Sequence, residues 1–334
     1  MKILRGTAVA LLTAGLLFMF FRGIEITRVW GHIRNVHPGY LILFAVGLLV
    51  QQWLRGYRWA ILLRPRKATI RTLTLMNFTL IGFLINSLLP GRLGEPARGI
   101  LVARKEQFNA AHGLASVVLE RLIDAIVVVS LFLLTLIFLP ENLTGPLESM
   151  RITAAIALPL FLAAIIVFYL INRPGGSAWI SRQILRLVKL VPSRHRERIS
   201  GALLHFVEGL RVNLGTLEFI KLILSSFSIW LVVVPTYWLL FRPLGIEASL
   251  LEALLYYCIL AMAASIPTPG MAGSLDAGSR MALVSILGAD PNRAVAYTLV
   301  MHVLLILVLV TAGFFALTAE GVKLKGIRHI REET

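Results

Sequence analysis

The sequence predicts an all-α polytopic membrane protein, folded as an inverted-topology repeat with two re-entrant helical hairpins and about seven spanning helices. Three observations carry that expectation. First, 57% of the 334 residues are hydrophobic and only 15% are charged, with a mean hydropathy of +0.82. That is too apolar for a soluble globule, and residues 113–139, 152–172, 217–241 and 294–318 each reach the length a helix needs to cross a bilayer. Second, two apolar segments stop at Pro-Gly-x-x-Gly, once at Pro90-Gly91-Arg92-Leu93-Gly94 and once at Pro269-Gly270-Met271-Ala272-Gly273. Pro removes an N–H and Gly loosens the backbone. Inside a membrane such a break is tolerated only within protein or beside a water-filled cavity. Paired breaks in two halves point to a transporter's binding site. Third, basic and acidic loops alternate in a way that fixes topology.

Taken in order, Lys2 and Arg5 precede an apolar run, 6–21, that ends at Phe20-Phe21-Arg22 without a small-residue cleavage site. It reads as a retained first helix, starting from a cytoplasmic N-terminus. Segment 40–63 then returns inside, because Arg64, Arg66, Lys67 and Arg71 follow it with no acid among them. For 113–139 to exit again, residues 72–107 must enter and leave on the cytoplasmic side, as a hairpin with arms 73–89 and 96–103 and Pro90-Gly91 at its tip. Residues 140–150 carry only Glu141 and Glu148 and belong outside. Segment 152–172 comes back in.

The linker 173–215 is cytoplasmic, with eight Lys and Arg against Glu197 and Glu208. Within it Trp179, Ile180, Ile184, Leu187 and Val188 form one helical stripe, and Ile199, Leu203, Phe206, Val207 and Leu210 a second. Either an interfacial amphipathic pair or a plain connector fits this pattern. Segment 217–241 goes out. The tail, with Lys323, Lys325, Arg328 and Arg331, is inside, so 294–318 must enter and 250–290 must be a second hairpin, opening outward. The first repeat is therefore 39–139 and the second 217–318. A rival topology makes every hairpin arm a full span, at the cost of extra short, polar helices.

A formal net charge of +16 would suggest nucleic acid for a soluble protein. Here the excess lies in loops, as the positive-inside rule requires, so no nucleic-acid partner is expected. The single cysteine, Cys258, excludes an intramolecular disulfide. No phosphate-binding G-x-x-x-x-G-K-[ST], no H-E-x-x-H and no G-x-S-x-G is present, and no cofactor is implied.

Ionisable side chains in apolar segments are costly, which makes them candidates for function. Glu95 follows the first tip between Arg92 and Arg98, placed either to take a proton or a cationic headgroup, or to hold an ion pair. Glu120 and Asp124 share a helix face with Arg121 close by; a shared proton, a bound cation, an anion contact through Arg121, or a salt bridge to Arg92, Arg98 or Arg280 are all open. Asp276 stands one turn before Arg280, as a binding residue or as an i,i+4 pair. His112 and His302 lack metal-ligand spacing. Arg55 and Arg58 belong to an aromatic and arginine cluster, 51–59, suited to interfacial anchoring or to a lipid phosphate. The candidate substrate-binding set is thus Pro90, Gly91, Arg92, Gly94, Glu95, Arg98, Glu120, Arg121 and Asp124 in the first half, with Pro269, Gly270, Gly273, Asp276 and Arg280 in the second.

The run Asn86-Ser87-Leu88-Leu89-Pro90-Gly91-Arg92-Leu93-Gly94-Glu95-Pro96-Ala97-Arg98, then Glu120-Arg121-Leu122-Ile123-Asp124, then Pro267-Thr268-Pro269-Gly270, resembles the lysylphosphatidylglycerol synthase transmembrane-region family. The resemblance covers roughly residues 40–318. It implies translocation of lipids between leaflets: larger relatives carry a fused aminoacyl-transferase domain, and stand-alone members are linked to phospholipids, polyprenyl-linked sugars or hopanoids. The family's second motif is usually Pro-Gly-Gly-x-Gly followed by Glu, where this chain has Met271-Ala272-Gly273 and Asp276. An arginine frequent in the last helix has no match near Met301-His302. Both departures point to a different headgroup or coupling in the second half.

Three functions are weighed on these grounds. A lipid flippase or scramblase for a phosphate-headgroup lipid, without its own ATPase, fits best. A small-ion or solute transporter on the same architecture is the alternative, and a membrane enzyme acting on polyprenyl phosphates comes third. The expectation is a non-enzyme in the plasma (inner) membrane with both termini cytoplasmic, membrane lipids as partners, and a homo-oligomer compatible with either transport function.

Overall fold

The structure, a computed structural model, describes residues 2–64, 70–88, 92–138, 166–173, 175–188, 214–266 and 268–322, with single residues 159, 163, 200 and 204. The described residues form α1 (Lys2–Phe21), α2 (Ile26–Arg34), α3 (Pro38–Leu63), α4 (Thr72–Leu88), α5 (Gly94–Lys105), α6 (Ala110–Phe138), α7 (Gly176–Val188), α8 (Thr216–Trp238), α9 (Leu250–Ala263), α10 (Ser274–Arg280) and α11 (Pro291–Glu320). Residues 166–172 are also helical, and no strand occurs among the described residues.

Among the described residues four stretches are long and apolar enough to cross a membrane: Pro38–Leu63, Ala110–Phe138, Thr216–Leu244 and Pro291–Glu320. Their outer faces carry large apolar side chains in the open, such as Leu231 at 75% and Phe315 at 71% exposure. A water-soluble protein would bury such side chains, whereas a bilayer solvates them. The chain is an integral membrane protein. Segment 152–172 lies mostly outside the described residues, as do the loop 140–150, the second stripe of the linker, and the tip residues Pro90 and Gly91.

Local chemistry sets the helix ends. Asn109 Oδ1 accepts from the Ala111 amide at 2.8 Å, which starts α6 three residues before the glycine expected to open it. Ser249 and Glu252 form a reciprocal capping box at the head of α9. Asp290 Oδ1 accepts from the amides of Asn292 and Arg293, both at 3.0 Å, with Pro291 opening α11 behind it. The second hairpin is less regular than expected. A 3₁₀ turn, Pro269–Met271, precedes the seven-residue α10, which passes into a π-helical turn, Met281–Ile286. Helix α2 was not anticipated from the sequence: nine residues give too short an apolar pattern to stand out, and its buried Val29 and exposed Trp30 show one thin inward face.

The elements pack in a regular scheme. In the first half α3 lies on α4, α4 on α5, and α5 on α6; in the second, α8 lies on α9, α9 on α10, and α10 on α11. Between halves α3 runs beside α8, α4 beside α11 and α9 beside α6; α3 also meets α11, and α8 meets α6. Exchanging α3 with α8, α4 with α9, α5 with α10 and α6 with α11 maps this set of contacts onto itself; the contact of α3 with α6 falls outside it, since α8 and α11 make no comparable contact. α1 sits outside the scheme against α10, and α2 against α11.

Two glycine pairs set the spacing of the first three-layer stack. A Cβ on Gly94 would lie 1.9 Å from the Gly82 carbonyl oxygen, and one on Gly113 would lie 2.1 Å from that of Gly99. Backbones approach this closely only where side chains are absent, the usual device for packing helices in lipid. Gly94→Ala should therefore force α4 and α5 apart at a cost of about 1–3 kcal/mol. Thermal unfolding in detergent is the check; a midpoint equal to wild type would contradict the close approach.

Candidate functional site

Arg58 lies on α3 with five apolar residues still to follow before the helix ends, so its guanidinium must find carboxylates within the protein or pay a desolvation cost. It finds two. Arg58 Nη2 donates to Glu120 Oε1 at 3.1 Å and Nη1 to Asp124 Oδ1 at 2.5 Å, from one turn of α6 to the next. Glu120, fully buried, also accepts from Arg98 Nη2 at 2.8 Å through its other oxygen. Arg98 is held from two further directions: Thr79 Oγ1 accepts at 3.3 Å, and the Trp59 ring, itself fixed by donation of Nε1 to Ser116 Oγ at 2.9 Å, lies 4.6 Å below the guanidinium. Arg55 reaches Asp124 at 3.5 Å. Arg121 lies 3.5 Å from both Glu120 and Asp124 and 3.7 Å from Glu95, and Glu95 is 3.8 Å from Arg92.

Five guanidinium groups thus face three carboxylates, a surplus of two positive charges. The Nε atoms of Arg55 and Arg121 and the Oε1 of Gln52 are buried with no hydrogen-bond partner. These three residues line a cavity of about 560 Å³. Arg92, Glu95, Arg98 and Asp124 form the rest of its charged wall. Trp230 and Tyr237 from the second half, each in edge-to-face contact with Tyr257, form with it the facing aromatic wall. Leu305 and Leu309 of α11 complete an apolar side.

Arg92 and Gly94 of the first motif and Gly270 and Met271 of the second border the same cavity. The third residues of the two motifs, Arg92 (φ 55°) and Met271 (φ 61°), both take the left-handed conformation that non-glycine residues avoid. Gly94, first residue of α5, donates its amide to Asn86 Oδ1 at 2.7 Å and so ties the two arms of the first hairpin. Arg92 donates across to the Ala264 carbonyl at the end of α9, linking the first tip to the second hairpin.

At the second tip the partners differ from the i,i+4 pairing of Asp276 with Arg280 read from the sequence. Asp276 pairs with His302 of α11, Oδ1 to Nδ1 at 2.6 Å, while its Oδ2 accepts from the Gly273 amide at 2.8 Å. His302 Nε2 meets the Gly270 carbonyl at 3.0 Å. Arg280 does not pair with Asp276; it turns outward and donates to the carbonyls of Met19, Phe20 and Arg22, capping the end of α1.

Arg92, Gly94, Glu95, Arg98, Arg121, Asp124 and Gly270 therefore line one cavity. Glu120 lies behind its wall, Asp276 and Gly273 behind the second tip, and Arg280 on the α1 side. Pro269 takes part through the 3₁₀ turn of that tip. Sequence reasoning underplayed Arg58, which it placed with an interfacial cluster; the apolar run that follows it was the available signal. Among the described residues no group of three or more His, Cys, Asp or Glu is placed to hold a metal ion.

The family model for the lysylphosphatidylglycerol synthase transmembrane region matches residues 4–313. The chain belongs to that family. Among curated proteins it is similar to a UPF0104 membrane protein of Methanothermobacter thermautotrophicus, 25% identical over 302 residues, covering 87% of this chain and 86% of the relative. It is also similar to a UPF0104 membrane protein of Methanocaldococcus jannaschii, 26% identical over 194 residues, covering 58% of this chain and 75% of the relative. No solved structure matches the chain. The family match takes in both Pro-Gly tips, the α3–α6 charge cluster and the Asp276–His302 pair, so the whole cavity lies within the family region.

Proposed function

We propose that this family member is a lipid flippase or scramblase that moves a phosphate-headgroup lipid between leaflets, without its own ATPase and without changing the lipid covalently. The observation that carries the proposal is the surplus of two positive charges on a cavity wall where the Nε donors of Arg55 and Arg121 make no hydrogen bond. Unpaired buried donors are costly, and an anionic headgroup relieves that cost. A phosphate offers several acceptors and suits guanidinium geometry. The apolar and aromatic walls suit the glycerol or first isoprenoid region, while acyl chains stay in the bilayer.

An inverted-topology repeat, 39–139 and 217–318, supplies the movement. It is supported by the exchange of contacts between halves and by the matched left-handed residues Arg92 and Met271. On this basis 72–107 and 250–290 are re-entrant hairpins, the membrane is the plasma (inner) membrane, and both termini are cytoplasmic. Reconstitution into liposomes with fluorescent phospholipids tests the proposal: protein-containing vesicles should exchange lipid between leaflets well above empty vesicles. Equal rates would end it.

A further inference from the structure

We propose that Asp276 and His302 form a proton-binding site that latches the second Pro-Gly tip, and that proton release frees the tip. Its use as the coupling site of transport rests on the lipid-translocation proposal; the site itself does not.

Both ring nitrogens of His302 face acceptors. Nδ1 meets a carboxylate oxygen of Asp276 at 2.6 Å and Nε2 meets the Gly270 carbonyl at 3.0 Å. A carbonyl cannot donate, so Nε2 must carry a proton. The 2.6 Å contact needs a second proton, either on Nδ1 or on the carboxyl. In both cases the pair holds two protons and is neutral overall, as a buried pair must be to avoid an uncompensated charge. Removing one proton leaves two contacts and one hydrogen. One of them must break, setting lone pair against lone pair.

The contacts at stake are those that hold the tip. Gly270 (φ 58°), Met271 (φ 61°) and Gly273 (φ 83°) are all left-handed, a conformation costly for Met271. Asp276 fastens the Gly273 amide, and His302 fastens the Gly270 carbonyl. Gly270 and Met271 line the cavity, whereas the pair stands behind them. A change of protonation therefore acts on the cavity wall from the side away from the lipid.

Among the described residues no neighbouring charge competes for the proton. α4 has no ionisable residue, and α1 has none from residue 11 to 21. On α9, Tyr256 is hydrogen-bonded to Ser279, Tyr257 to Gln51, and Glu252 to its own capping box. Arg280 faces α1, Arg92 bonds the Ala264 carbonyl, and the arginines of α3 are paired with α6. Glu25, just before α2, donates its amide to Asn292 of α11, ten residues before His302.

The test uses full-length protein in proteoliposomes and His302→Gln, whose amide supplies two donors that do not titrate. Leaflet exchange of a fluorescent phospholipid by wild type should rise about tenfold between about pH 5.5 and about pH 8.5, the effect of losing one charge-assisted hydrogen bond across the histidine range. His302→Gln should exchange at a rate that pH leaves unchanged. Wild-type exchange that ignores pH, or a variant that keeps the wild-type profile, would overturn the proposal. ¹⁵N NMR of histidine-labelled protein in detergent decides the case independently, with the His302 signal assigned by its loss in the variant. At about pH 6, near the ordinary histidine range, a proton on Nε2 and a second shared between Nδ1 and Asp276 are expected. A deprotonated Nε2 there sinks the site whatever the vesicles do. If wild type exchanges no lipid at any pH but the two-proton signature is present, the site stands and the lipid proposal falls.

Discussion

Glu120→Leu should lose about 3–5 kcal/mol of stability, the typical cost of leaving buried charge without its partner. Arg58 and Glu120 are fully buried and Arg98 nearly so, and the two arginines share the one carboxylate. Without it Arg58 keeps Asp124, but Arg98 keeps only a hydroxyl and the face of Trp59. The double variant Arg98→Met with Glu120→Leu removes both unmatched groups and should recover more than half of the loss. Chemical unfolding in detergent, read as a double-mutant cycle, is the measurement. If the two single losses simply add, the pair is not the support described here.

Arg121→Ala should slow leaflet exchange about 10- to 100-fold while moving the unfolding midpoint little. Its guanidinium is about a third exposed, and its Nε donor has no hydrogen-bond partner, so a headgroup contact worth about 1.5–3 kcal/mol is what the substitution removes. Arg121→Lys keeps the charge but not the fork and should fall between. Parallel losses of rate and stability in Arg121→Ala would assign the residue to the scaffold instead. Both measurements come from the same purified protein, so the two outcomes separate cleanly.

Much of the scaffold is legible in the chain because apolar length and helix-breaking residues are local properties. The spans expected at 113–139, 217–241 and 294–318 correspond to α6, α8 and α11 with ends shifted by a few residues. Those shifts had readable causes: Asn109 as a cap for α6, and Asp290 with Pro291 at the start of α11. The charge cluster was half legible, since Glu120, Arg121 and Asp124 stand together in sequence while Arg58 and Arg98 join them only through packing. The Asp276–His302 pair was not legible. The residues lie 26 apart, and Arg280 offered a local partner at helical spacing that proximity to α1 outcompetes. Side-chain partners across helices depend on rotation about each axis, which a hydropathy pattern in an all-apolar helix does not fix.

The exchange of contacts between halves pairs Arg98 and Glu120, on α5 and α6, with Asp276 and His302, on α10 and α11. In each half the hairpin's second arm is tied to the following span by one acid and one base, but the signs are swapped. Arginine keeps its proton at any pH a cell meets, and histidine does not. One joint is therefore permanent and the other reversible. A carrier that alternates by trading the shapes of two like halves would spend equal time facing each side if the halves were equally stiff. On the transport reading proposed above, unequal joints would make the two orientations differ in energy, so the empty carrier would have a resting side, and acidity on one face of the membrane would set how long it waits there.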